Sequence, residues 1–250
     1  MPGVSVTIIT RNESANIEPA LASVAWADER IVVDAESTDD TVARARPLAD
    51  RVEVRAWPGY GAQKNYAAGL ARHDWILSID ADERVTPALA AEIRAALAHE
   101  PVQAGFRMRR VTRYLGRWIR STDWYPDHQL RLYDRRRAVW NLRPVHERVE
   151  PQGPVGLLKA ELQHLSYRSV SHHLATIDKY TTLAAQEMRE EGRSAGFGDL
   201  LLHPIAAFLR NYVLRAGFRD GLTGLMISGL NSYYVFLKFV KLRELEQADR

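Results

Sequence analysis

The first hundred residues alternate short apolar runs with helix-like stretches, and each run ends on polar or acidic residues. Val4–Ile9, Arg30–Val33, Arg51–Arg55 and Trp75–Ile79 read as strands, with helical segments near 15–25, 39–49, 61–72 and 87–98. The last of these opens with Thr86 as N-cap and Pro87 at the first helical position. Such alternation means βαβ units and a mainly parallel, Rossmann-like sheet flanked by helices, hence an α/β fold. Ligands of these sheets bind outside the carboxyl ends of the strands. Here those ends carry Thr10-Arg11-Asn12-Glu13, then Asp34 to Asp39, then Asp80-Ala81-Asp82-Glu83.

The run Trp75 to Ile79 delivers Asp80 and Asp82 together onto that edge. Two carboxylates beside a substrate phosphate are what a hard divalent cation, Mg2+ or Mn2+, takes as ligands. Asp34 can accept from a ribose or base, while Ser37-Thr38-Asp39 also reads as simple turn and cap chemistry. Gly59 and Gly61 precede a helix bearing Lys64 and Asn65, where a phosphate is favoured. Neither a dinucleotide Gly-x-Gly-x-x-Gly nor a P-loop is present. The chain has no cysteine, which excludes disulfides, thiolate zinc sites and a cysteine nucleophile. Nor does its start read as a signal peptide, so a cytoplasmic location is expected.

Residues 103–163 suggest antiparallel strands and loops. From Ser169 the pattern is helical, with Val170, Leu174, Ile177, Thr181, Ala184 and Met188 on one face, a loop over Gly192–Gly198, and helices near 199–217 and 221–246. Charge is uneven. Residues 1–100 hold ten Lys and Arg against sixteen Asp and Glu, whereas residues 101–150 hold twelve against five. The middle segment therefore suits an anionic partner. Gly221–Leu237 has no charged residue over 17 positions and is flanked by Arg and Lys, as in helices that lie in a membrane interface. A buried packing helix would read the same way.

The motifs Ile8-Ile9-Thr10-Arg11-Asn12-Glu13, Ile31 to Thr41, Gln63-Lys64-Asn65 and Ile79 to Glu83 occur in an order that resembles glycosyltransferase family 2, which has the GT-A fold. Further along, Trp124 to Tyr133, Val145-His146-Glu147 and Tyr180 to Ala185 resemble its lipopolysaccharide-core β-glucosyltransferase branch. Gln129-Leu130-Arg131-Leu132-Tyr133 departs from the Gln-x-x-Arg-Trp of processive synthases.

The resemblance implies a GT-A domain over 1–168, with a nucleotide-sugar half (1–100) and an acceptor half (101–168). A helical, membrane-associating region follows over 169–250. It implies that Asn12, Glu13, Asp34, Lys64, Asp80 and Arg131 bind the donor and that Asp82, with Asp80, holds the metal. His146 would complete the metal shell or be an ordinary hydrogen-bonded histidine. An acceptor hydroxyl would attack with inversion while a carboxylate takes its proton. Asp127, in an aromatic loop, and Glu147 are the two candidates for that base.

The expected partners are a UDP-sugar, a lipid-linked or lipopolysaccharide-core saccharide, and the inner face of the cytoplasmic membrane, without nucleic acid. A homo-oligomer stays open. Polyprenyl phosphate or another envelope glycan is the alternative acceptor. A nucleotidyltransferase would need a glycine-rich basic loop after the first strand, which is missing. A non-catalytic carbohydrate-binding protein would have no use for clustered carboxylates, which destabilise a fold that binds no cation.

Overall fold

The computed structural model describes residues 2–143, 147–167 and 169–248. His146, named above for the metal shell, lies outside the described residues. The chain forms two compact units, Met1–Arg110 with His128–His164, and Val111–Asp127 with Leu165–Arg250.

The first unit is built on β1 (Val4–Thr10), buried along its whole length. It pairs in parallel with β2 (Glu29–Asp34) on one side and β4 (Trp75–Asp80) on the other, and β3 (Arg51–Val54) runs parallel to β2. The register sets Thr10 beside Asp34 and Ile9 beside Asp80, which gathers the three strand ends at one edge. The sheet continues through β8 (Asp127–Asp134), β6 (Gly105–Tyr114), β11 (Val155–His164) and β5 (Glu83–Val85). A short antiparallel pair, β9 (Ala138–Trp140) and β10 (Val149–Pro151), stands apart.

Successive side chains of a strand point to opposite faces, so β1 feeds two cores. Val4, Val6 and Ile8 join Leu21, Leu89 and Ile93 on one face. Ile9 joins Ile31, Val33, Ala67 and Tyr133 on the other. Each fully buried Ile or Leu contributes about 1.5–3 kcal/mol. Helices α1 (Ile17–Ser23), α2 (Thr41–Ala45), α3 (Tyr60–Gly69) and α4 (Pro87–Ala96) supply the covering faces. At α4 the Thr86 hydroxyl accepts from the Leu89 amide at 3.1 Å, as the Thr-Pro pair predicts.

The second unit is mostly helical. Strand β7 (Arg117–Ile119) pairs with the end of β6. Helix α5 (Val170–Glu190) is capped by Ser169, whose hydroxyl accepts from the His172 amide. Its buried face is His173, Ile177, Thr181, Ala185 and Met188. Ile177, Thr181 and Met188 of the expected face are among them, whereas Val170 and Leu174 are exposed. Helix α6 (Phe197–Leu209) passes into a π-helical turn, Arg210–Leu214, and a 3-10 turn, Gly217–Asp220, instead of running on to 217.

The break follows from close backbone approach. A Cβ on Gly217 would lie 2.8 Å from the Asn211 carbonyl oxygen, and one on Gly224 would lie 1.8 Å from that of Gly217. Helix α7 (Gly221–Ala248) packs against α5 and α6. Among the described residues no helix is long and apolar enough to cross a membrane.

Candidate active site

The loops after β1 and β2 are stitched to each other. Asn12, in the left-handed region with φ of 54°, donates its amide to Ser37 Oγ, and its Oδ1 accepts from the Thr38 amide, both at 2.8 Å. The Glu13 amide donates to Thr41 Oγ1, and the Glu13 carboxylate accepts from Asn16 Nδ2 at 2.7 Å. Asp34 is fully buried and accepts from the Ser37 amide at 2.7 Å. Asn12, Glu13 and Asp34 are thus brought together at the edge, with much of their hydrogen-bonding capacity spent on shaping it.

Beside them lies a network of opposed charges. The buried Lys64 ammonium sits 3.3 Å from Asp80 Oδ1 and 3.1 Å from Glu147 Oε1, and 4.3 Å from the centre of the Trp140 ring. Arg131, also buried, reaches Asp80 Oδ2 at 2.6 Å and Glu83 Oε1 at 2.8 Å. Arg110 adds a contact to Glu83 at 3.3 Å. The other Glu83 oxygen accepts from the Asp80 amide. Loss of water around Asp80 pushes its carboxyl up, but Arg131, Lys64 and Arg110 outweigh that and hold it far below the usual carboxylate range. Burial likewise pushes the Arg131 guanidinium down, and Asp80 and Glu83 more than restore it, so it stays charged.

Helix α3 is locked onto the β9–β10 pair next to this network. Asn65 Nδ2 donates to the Trp140 carbonyl at 2.8 Å, and the Trp140 amide donates back to Asn65 Oδ1 at 3.0 Å. A Cβ on Gly61 would lie 1.9 Å from the Asn141 carbonyl oxygen, so only glycine permits this docking. The glycine that resembled part of a phosphate loop therefore has a packing task, and the helix it opens presents Lys64 to two carboxylates.

Asp82 stands clear of the network. Its Oδ2 lies 3.3 Å from His164 Nε2. The antiparallel register of β11 on β5, which pairs His164 with Glu83, creates this neighbour. Arg84 anchors the turn beneath, donating to the carbonyls of Ala81 and Asn16. Among the described residues no three side chains converge as a complete metal shell. One carboxylate and one imidazole fit Mn2+ better than Mg2+, with phosphate oxygens and water completing the shell.

Asp127 opens β8 and belongs to the second unit, half-buried at the end of the Trp124-Tyr125-Pro126 loop. Within that unit Trp124 stacks on Tyr167 at 5.3 Å, and Tyr114 meets both edge-on. Tyr114 also hydrogen-bonds the buried His173 at 3.0 Å.

Residue patterns alone missed Glu83 as the pivot of two arginines, Trp140 as the floor under Lys64, and His164. By sequence Glu83 belongs with the acidic strand-end residues. It is fully buried in β5 because Arg131 and Arg110 need an internal partner. For His164 the one available signal was its place at the end of an alternating run.

The family model for glycosyl transferase family 2 matches residues 5–152, a span that holds the stitched loops, the charge network and the Asp82 turn. The chain is 31% identical to an uncharacterized glycosyltransferase of Rickettsia typhi, over 100% of this chain and 90% of that protein. It is 30% identical to the lipopolysaccharide core biosynthesis glycosyltransferase LpsC of Rhizobium meliloti, over 96% of this chain and 91% of that one. Among solved structures, a mannosyltransferase from Pyrobaculum calidifontis in complex with GDP-Man and Mn2+ is similar with a TM-score of 0.57. That comparison spans 96% of this chain and 87% of the other at 18% identity, so it speaks to fold alone. A family model covering more than half the chain, relatives aligned along nearly all of it and a parallel sheet with acidic strand ends agree: the chain is a glycosyltransferase of GT-A fold and belongs to glycosyl transferase family 2.

Proposed function

We propose that the protein transfers a hexose, glucose from UDP-glucose in the first instance, to a lipid-linked or lipopolysaccharide-core saccharide with inversion at the anomeric carbon. The observation that carries this reading is the pairing of a neutralised, buried ion network around Asp80 with a separate Asp82–His164 pair at the same strand end. A neutralised network beside a partly exposed carboxylate suits a nucleoside diphosphate that arrives with a divalent cation.

In this reading Asn12, Glu13 and Asp34 border the nucleoside. Lys64 and Arg131 set Asp80 against the ribose or diphosphate. Asp82 and His164 would hold a divalent cation, whose chemistry there would be to offset charge on a diphosphate leaving group. The acceptor oxygen forms a bond to the anomeric carbon as the bond to the diphosphate oxygen breaks, and the hydroxyl proton passes to a carboxylate. Asp127 serves as that base, and Glu147, 3.1 Å from the Lys64 ammonium, has a positioning role. Residues 1–100 serve the donor, residues 101–168 the acceptor, and residues 169–250 the membrane. Two observations support the acceptor and the metal: LpsC, a relative in Rhizobium meliloti, is named for lipopolysaccharide core biosynthesis, and the mannosyltransferase of the same fold was solved with Mn2+. A lipid-linked acceptor would be met at the inner face of the cytoplasmic membrane.

The test is release of nucleotide from a panel of nucleotide sugars with Mn2+ or Mg2+. UDP-glucose should turn over fastest. Absence of metal-dependent release from every donor would overturn the reading.

A further inference from the structure

Helix α6 lacks the polar outer face usual for a surface helix. Pro204 is buried on its inner side, where Leu200 packs on the apolar cluster of Met188 and Phe239. Its outer side carries Leu202, Ile205 and Leu209, and Val213 in the turn that follows continues them at steps of three and four, all half or more exposed. The stripe runs on through Leu214, 79% exposed, and Phe218, 55% exposed. A monomer seldom leaves so continuous an apolar strip in water unless something covers it.

Charge narrows what covers it. From Leu200 to Arg219 there is no Asp or Glu, and the charged residues are Arg210, Arg215 and Arg219. Arg210 and Arg215 both reach the single carboxylate of Asp123, and their side chains are still more than half exposed. One carboxylate for two guanidiniums leaves a positive border beside the hydrocarbon. A second copy of the chain fits badly, because a two-fold contact would set the same arginine border against itself. A bilayer with anionic headgroups fits both parts, taking the leucines below the headgroups and the guanidiniums among the phosphates.

We propose that the outward face of α6 and the turns after it, from Leu202 to Phe218, is the surface that seats this enzyme on an anionic membrane. It extends the contact beyond the uncharged stretch Gly221–Leu237, where Ile227 and Ser228 are fully buried and α7 packs against α5 and α6 while Leu222, Met226, Tyr233 and Phe236 stay exposed. The proposal rests on the reading of a membrane-borne acceptor, but it can fail without it.

The experiment sediments the full-length protein with vesicles of phosphatidylcholine alone and of phosphatidylcholine mixed with phosphatidylglycerol. Wild type is compared with a Leu202→Glu, Leu214→Glu double variant. Val102→Glu serves as control, at an apolar position of the first unit that is 74% exposed. At low salt wild type and the control should bind the anionic vesicles alike, and the double variant should lose at least about tenfold in bound fraction. Circular dichroism checks folding, and nucleotide-sugar hydrolysis without lipid reports separately on the transferase reading. Equal sedimentation of wild type and double variant, or no binding of wild type to anionic vesicles, overturns the proposal. A dimer that dissociates in the double variant while vesicle binding is unchanged would assign the face to a second copy.

Discussion

In the first unit Lys64, Arg131 and Arg110 face Asp80, Glu83 and Glu147 across a few ångströms, mostly out of water, whereas in the second unit leucines line the outside of α6. The first arrangement hides charge, and the second displays hydrocarbon. Neither helps the fold much. A buried ion pair gains little over a well-packed apolar replacement, because desolvation consumes most of the attraction. An exposed leucine stripe forgoes the burial that would stabilise it. Local departures from folding preference are expected where a chain meets its ligands. Here one departure suits a charged small molecule and the other an amphipathic surface.

Four measurements can break or sharpen that contrast. The largest effect is expected at Asp82, which stands outside the ion network. Asp82→Asn should cut metal-dependent nucleotide release by about a thousandfold or more, and excess chelator should do the same to wild type. Its melting temperature without metal should stay near that of wild type. A large loss of stability would mean that Asp82 shares the structural task of Asp80.

Glu83 should behave in the opposite way. Glu83→Ala leaves Arg131 and Arg110 short of a partner inside the protein, and urea titration should record a loss of about 3–5 kcal/mol. A cost under about 1 kcal/mol would show that the network is solvated and the contrast between the units overdrawn.

Next comes the base. Asp127→Asn should lower turnover by about a hundredfold with the donor KM nearly unchanged. Glu147→Gln should chiefly raise the donor KM, because it frees Lys64. If steady-state kinetics return the reverse pattern, Glu147 is the base and the ion network itself performs the proton transfer.

The smallest effect concerns pH. Burial, with His172 nearby, lowers His173 from 6.5 to about 4. Its neutral ring therefore adds stability that is whole above pH 6.5 and is lost as pH falls toward 4. Between pH 7 and pH 5 wild type should lose about 2 kcal/mol that His173→Asn does not lose, read as the difference between their urea midpoints. Asp80 stays ionised through this window and adds nothing to the difference. Parallel pH profiles for the two proteins would remove His173 as its cause.

Much of the first unit was legible because its signals are local. The β-branched run at Val4 is a central strand, Thr86-Pro87 starts a helix, and each strand end was found where the polar residues begin. What escaped depends on pairing across long separations. Glu83 looks like one more acidic strand-end residue until Arg131, far along the chain, is laid against it. Gly61 looks like loop chemistry until the Asn141 carbonyl arrives beside it. In the second unit, periodicity identified α5 and three residues of its inner face, Ile177, Thr181 and Met188, but not His173 or Ala185. The buried His173 owes its position to the Tyr114 hydroxyl, a hydrogen bond that hydrophobic periodicity does not register.

The pairing of β11 with β5 makes chain length as demanding as residue identity. His164 comes to Asp82 because it stands opposite Glu83, with Gln163 opposite Arg84 and Leu162 opposite Val85. Strand side chains alternate between faces, so a slip of one residue would carry Leu162 out of the core and bring Gln163 to the slot beside Asp82. A single codon inserted within Val155–His164 would therefore do more harm than most substitutions there. The same insertion near Gly192, in the exposed turn between α5 and α6, would be absorbed by the loop. Variants of differing length should accordingly be sought between the helices of the second unit, with β11 kept at its full count.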